Sequence, residues 1–192
     1  MEQQKEMITR SRTLLMPFFD QLASDLQIIT NANVKCEGGD VVLVKSGDLL
    51  SHFFKDSCLV SKAKEDGKDS GHVHLVIDVE TGIATSGFMM MLEKESIDEK
   101  ISKRNFDEEI AEGFQEVANL LTGATNTVME NLGKGHHLFL QTTSYCESGQ
   151  HPDTLQLYDV YLAATVDIQV EDYISKQAVW LFPKEVVEDL LQ

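Results

Sequence analysis

Residues 106–132 read FDEEIAEGFQEVANLLTGATNTVMENL. Ile110, Phe114, Val117, Leu121, Ala124 and Val128 recur at helical spacing, so at about 100° per residue they form one apolar stripe that must be buried. On the same wheel Asn119 lies opposite the stripe, and Glu112, Glu116 and Gly123 share its side. Glu116 and Asn119 are three apart and therefore neighbours on the surface, with Glu112 one turn before and Gly123 one turn after. A glycine inside a helix costs about 1 kcal/mol relative to alanine, and a solvent-facing position supplies no packing reason for it. Close approach of another molecule to the backbone is such a reason. By itself a Glu-x-x-Asn pair is equally at home on an ordinary solvated helix face.

Working outward, the chain has 192 residues with ordinary apolar and charged content, enough for the core of a single domain over 1–192. The net charge of −16 argues against nucleic acid and against anionic membrane surfaces, both of which call for a basic footprint. A protein partner or a small ligand fits better. The N-terminal MEQQKEMITRSR lacks the apolar core of a secretory signal, and no later run reaches membrane-spanning length, which predicts a cytoplasmic protein. Cys36, Cys58 and Cys146 are odd in number and lack metal-type spacing, so they read as reduced thiols.

Upstream, Met7 to Ile29 carries apolar residues with a period near 3.6, a core helix that Pro17 is expected to bend or restart. Val41 to Val44 suggests a strand and Leu49 to Phe54 a helical turn. Cys58 to Lys64 and His72 to Val79, separated by EDGKDSG, predict a hairpin. Glu80 to Gly82 then reads as a tight turn, Ile83 to Leu92 as an apolar strand and Glu95 to Lys103 as a short charged helix. Asn105 or Asp107 caps the central helix, and Gly133 and Gly135 end it. Beyond it come a strand at His137 to Tyr145, a loop CESGQHPD and a long run Leu155 to Val170. A turn at Glu171 and Asp172, a strand at Ile174 to Phe182 and a terminal helix opened by Pro183 complete the chain.

The halves, about 6–103 and 107–192, thus share one order, long helix, strand, polar loop, strand, turn, apolar strand and short helix, to which the first half adds Val41 to Phe54. This duplication predicts an α+β fold with pseudo-two-fold symmetry, its long helices packed on a largely antiparallel sheet. The first long helix has no Glu-x-x-Asn, so one active site is expected rather than two.

Glu116-Val-Ala-Asn119-Leu-Leu-Thr-Gly123 resembles the central motif of the CheC, CheX and FliY phosphatases, which remove phosphate from the aspartyl phosphate of CheY-type response regulators. The single copy is most like CheX-type members. The resemblance extends over nearly the whole chain, with two departures: Glu112 stands where Asp or Ser is usual, and no proline occurs between Pro17 and Pro152. It implies that Asn119 orients the attacking water, that Glu116 pairs with the receiver's active-site lysine, and that Glu112 and Gly123 lie in the contact. It implies no cofactor of the chain's own, with Mg²⁺ held in the receiver, and a homodimer joined through sheet edges such as GFMMML at residues 87–92.

Two other readings stand beside it. One is a docking or flagellar-switch-type module that recognises a phosphorylated receiver without hydrolysing it. The other is a metal enzyme using His72, His74, His136 and His137, for which no third ligand at a supporting spacing is evident.

Overall fold

The structure, a computed structural model, describes residues 2–67, 71–131, 135, 137–175 and 177–191. The first half runs α1 (Glu2–Thr30), β1 (Val34–Lys45), α2 (Ser46–Phe53), β2 (Cys58–Glu65), β3 (His72–Asp78), α3 (Val79–Met89) and α4 (Lys94–Ser102). The second runs α5 (Glu108–Asn131), β4 (Leu138–Cys146), a 3-10 turn (Asp153–Gln156), β5 (Val160–Val170), β6 (Tyr173–Ile174), β7 (Ala178–Pro183) and α6 (Lys184–Leu190).

The strands form one antiparallel sheet in the order β1-β5-β7-β3-β2-β4, with β6 beside β5. The path is symmetric about the β7–β3 pair: β1 answers to β4, β5 to β2 and β7 to β3. Each half lends its edge strand to the other, since β1 pairs with β5 and β4 pairs with β2. Strand alternation then divides the side chains between two layers. In β5, Leu162, Ala164, Val166 and Ile168 join Leu22 of α1 and Phe114 of α5 in the larger core, while Tyr161 and Ala163 face the smaller core beneath Leu49 of α2 and Leu155 of the 3-10 turn. Strand β7 is buried on both faces, and for that reason AVWLF is apolar throughout rather than alternating.

The expected α+β class and a duplicated order are present, but Val41 to Phe54 is no addition, since β1 and α2 are the counterparts of β4 and the 3-10 turn, and several boundaries differ. Residues 80–89 are helical, not a turn and a strand. The carboxylate of Asp78 accepts from the Thr81 amide at 3.0 Å and starts α3, which is buried on nearly every side and so shows no clean periodicity to read. The counterpart of α3 is α6, and GFMMML is not an edge strand; the two ends of the sheet path are β1 and β4. The homodimer expectation thus loses the edge on which it stood. Residues 155–159 precede β5 rather than belonging to it, and the run from Ile174 to Phe182 is broken between β6 and β7. Strand β1 starts earlier than expected and carries a register shift between Gly38 and Val41. Helix α1 continues through Pro17, which is exposed. Gly133 and His136 fall outside the described residues, as does part of the EDGKDSG loop.

Candidate functional site

Helix α5 is fixed at its start by Asp107. One carboxylate oxygen accepts from the Ile110 amide at 3.1 Å, and the other receives Lys100 of α4 at 2.5 Å. Lys100 also reaches Glu109 at 3.1 Å, so one ammonium ties α4 to the first turn of α5 and holds the Asp107 carboxyl below its ordinary range. Phe106 lies between the rings of Phe114 and Tyr145, at 6.3 and 6.0 Å. Inward, Ile110, Phe114, Val117, Leu121 and Ala124 are buried as the spacing predicts. Gly113 lets α3 come close, because a Cβ there would lie 2.9 Å from the Ser86 carbonyl oxygen.

Glu112, Glu116, Asn119 and Gly123 are all exposed along the opposite side. Among the described residues no side chain hydrogen-bonds or ion-pairs with Glu112, Glu116 or Asn119. A Cβ on Gly123 would meet nothing within 4 Å, so no intramolecular packing calls for glycine there.

Sequence reading missed the far end of this face. Asn119 and Gly123 open onto a groove whose other wall is the start of β4, with Asn126, Glu130, His137 and Phe139 among its lining. The Asn126 amide is buried and pairs with both backbone groups of Leu138, each at 2.8 Å, which fixes where β4 begins relative to α5. Phe139 is 50% exposed and meets the His137 ring at 4.8 Å between centroids. The signal available was Asn126 itself, a polar residue on the inward side of the helix wheel next to Thr125, which is also buried.

The matching helix α1 carries no second copy. Burial of Leu15, Phe18, Phe19 and Leu22 follows the same rhythm as Phe114, Val117, Ala118 and Leu121, which sets Pro17 against Glu116 and Asp20 against Asn119. Pro17 offers no ion-pairing group, and a carboxylate at Asp20 cannot donate to water as an amide does.

Among the described residues the histidines do not form a centre. His72 and His74 are buried on the sheet face away from α5, and His74 Nε2 meets the Thr154 hydroxyl at 2.8 Å. Burial drives His74 down to about 3 and lowers His72, so both are neutral imidazoles at neutral pH. His137 lies in the groove beside α5 instead. No group of three His, Cys, Asp or Glu side chains is placed to hold a metal among the described residues. Likewise no helix among them is long and apolar enough to cross a membrane.

The arrangement presents a water-exposed amide and carboxylate on one helix face without enclosing them.

The fold is shared with FliY, the FliM middle domain and CheX. Thermotoga maritima FliY superposes with a TM-score of 0.81 at 14% identity, covering 96% of this chain and 93% of that one. The FliM middle domain of H. pylori gives 0.75 at 11% identity, covering 97% of each chain. CheX from Borrelia burgdorferi, solved in complex with CheY, BeF₃ and Mg²⁺, gives 0.55 at 17% identity over 88% of this chain and 97% of that one. No protein-family model matches the chain, and no curated protein matches it by sequence.

Proposed function

We propose that this chain is a response-regulator phosphatase that speeds hydrolysis of the aspartyl phosphate of a phosphorylated CheY-like receiver. The observation that carries the reading is the exposed, unpartnered row Glu116, Asn119 and Gly123 on α5, in a fold shared with a CheX solved together with CheY. Phosphoryl transfer to water passes through a loose transition state, so catalysis is chiefly alignment of the nucleophile and stabilisation of charge. Asn119 accepts from and donates to one water and sets it in line with the bond to be broken. Its side chain is short, so the α5 backbone must come close to the phosphoryl group, and the bare surface at Gly123 admits that approach. Glu116 repels phosphate and instead pairs with the receiver's active-site lysine, while Glu112 extends the contact by one turn. The Mg²⁺ belongs to the receiver.

The test is phosphate release from excess phosphorylated receiver with catalytic amounts of this chain. Many turnovers per molecule support the reading, and release no faster than that of the receiver alone overturns it.

A second reading, a non-catalytic receiver-docking or flagellar-switch-type module, is favoured by the higher TM-score of the FliM middle domain, 0.75 against 0.55 for CheX. Under that reading the receiver binds and its phosphate lifetime is unchanged or longer.

A further inference from the structure

The sheet register brings together two thiols that are far apart in sequence. Cys58 at the start of β2 stands directly opposite Cys146 at the end of β4. Directly opposed residues of antiparallel strands have Cα atoms about 4.5–5.5 Å apart, within the roughly 4.4–6.8 Å that a disulfide spans. The side chains also share a face: Cys58 is buried in the smaller core, and Cys146 packs against that same cluster.

The two differ in access. Cys146 is partly exposed on a strand at the end of the sheet path, whereas Cys58 is buried but borders a polar pocket with Asp56, Ser57, Asp78 and Arg104. Hydrogen bonds from Cys58 and then from Ser144 hold the Cys146 thiol below its ordinary range, and Cys58 is correspondingly raised. Cys36, on β1 at the other end of the path, is pushed up to about 12 by burial and has neither cysteine beside it in the register.

We propose that Cys146 and Cys58 form a peroxide-responsive dithiol that closes to a cross-strand disulfide. The Cys146 thiolate attacks the terminal, hydrogen-bearing oxygen of a hydroperoxide; the O–O bond breaks, and the departing oxygen takes up a proton and leaves as an alcohol, or as water from hydrogen peroxide. Cys146 is left as a sulfenic acid. The Cys58 sulfur then attacks the Cys146 sulfur, the S–O bond breaks, and hydroxide leaves as water with the Cys58 proton. Two electrons pass from the two sulfurs to the peroxide. The new bond fastens the end of β4 to β2, and a dithiol reductant reverses it.

The experiment treats the full chain with hydrogen peroxide, blocks remaining thiols under denaturing conditions, and reads intact mass and peptide map. The expected product is a monomer that has lost two hydrogens, with Cys58 and Cys146 in one linked peptide, Cys36 still blocked, and full reversal by dithiothreitol. The Cys58→Ser variant should trap Cys146 as a sulfenic acid that reacts with dimedone, and Cys146→Ser should leave Cys58 unoxidised. Wild-type protein that keeps all three thiols, that oxidises Cys146 alone, or that links only between molecules overturns the proposal.

Discussion

The side-chain amide of Asn126 pairs with Leu138 as a facing strand would, Nδ2 donating to its carbonyl and Oδ1 accepting from its amide, both at 2.8 Å. No proline lies between Pro17 and Pro152 to mark the start of β4, and this pairing marks it instead. Replacing Asn126 with Leu strands two buried backbone groups and is expected to cost about 2–4 kcal/mol, read as a lower urea midpoint. A loss below about 0.5 kcal/mol would show that the pairing does not hold β4.

The two motif residues should separate kinetically. Under the proposed function Asn119 acts when the water must be aligned, so Asn119→Ala should lower kcat about a hundredfold with little change in KM. Glu116→Ala should weaken receiver association, and the wild-type complex should lose affinity with added salt more steeply than the variant. An Asn119→Ala protein with wild-type turnover removes this helix face from the chemistry.

Gly123 offers a test in which stability and function move apart. Because a Cβ there meets open space, Gly123→Ala should stabilise the fold by up to about 1 kcal/mol through helix propensity alone. Gly123→Leu should also fold, yet obstruct docking. Calorimetry and receiver binding measured on the same preparations check both halves, and a destabilised Gly123→Ala contradicts the open geometry.

Asp107 carries the pH dependence of the α5 start. Its pairing with Lys100, reinforced by the Ile110 amide, depresses its folded pKa, so its stabilisation is complete above the ordinary carboxylate range and is lost as pH falls through that depressed value. Asp107→Ala should cost about 1 kcal/mol at neutral pH from the missing cap, and the difference from wild type should shrink in acid. Chemical denaturation at several pH values measures it, and a pH-independent difference would exclude titration of this carboxyl.

The central helix was legible because its stripe and its exposed row obey one period, and each of the five stripe residues whose side chains are described is buried. Helix α3 was not, since burial on nearly all sides erases the polar face that periodicity needs. The Glu80-Thr81-Gly82 sequence fits a turn equally well, and only the tertiary contact of Gly82 with Leu59 and of Gly87 with Ile97 shows why small residues stand there. Of the candidate site, the exposed positions of Glu112, Glu116, Asn119 and Gly123 could be placed from spacing. Asn126 and Phe139 could not, because their part depends on where β4 returns beside α5, a long-range fact that local pattern does not contain.

The exchange of edge strands has a consequence for how the chain is born. In the N-terminal half only the β2–β3 hairpin pairs soon after synthesis, whereas β1 must wait for Val160–Val170 of β5 to be made. At about 5–20 residues per second the ribosome needs on the order of ten seconds to cover that interval. During it the apolar side chains of the nascent N-terminal half have only the β2–β3 hairpin to pack on, so completion of the sheet is held back until β5 and β7 emerge. A ribosome that stalls before β5 releases not half a protein but a sticky fragment, the natural cargo of chaperones and proteases.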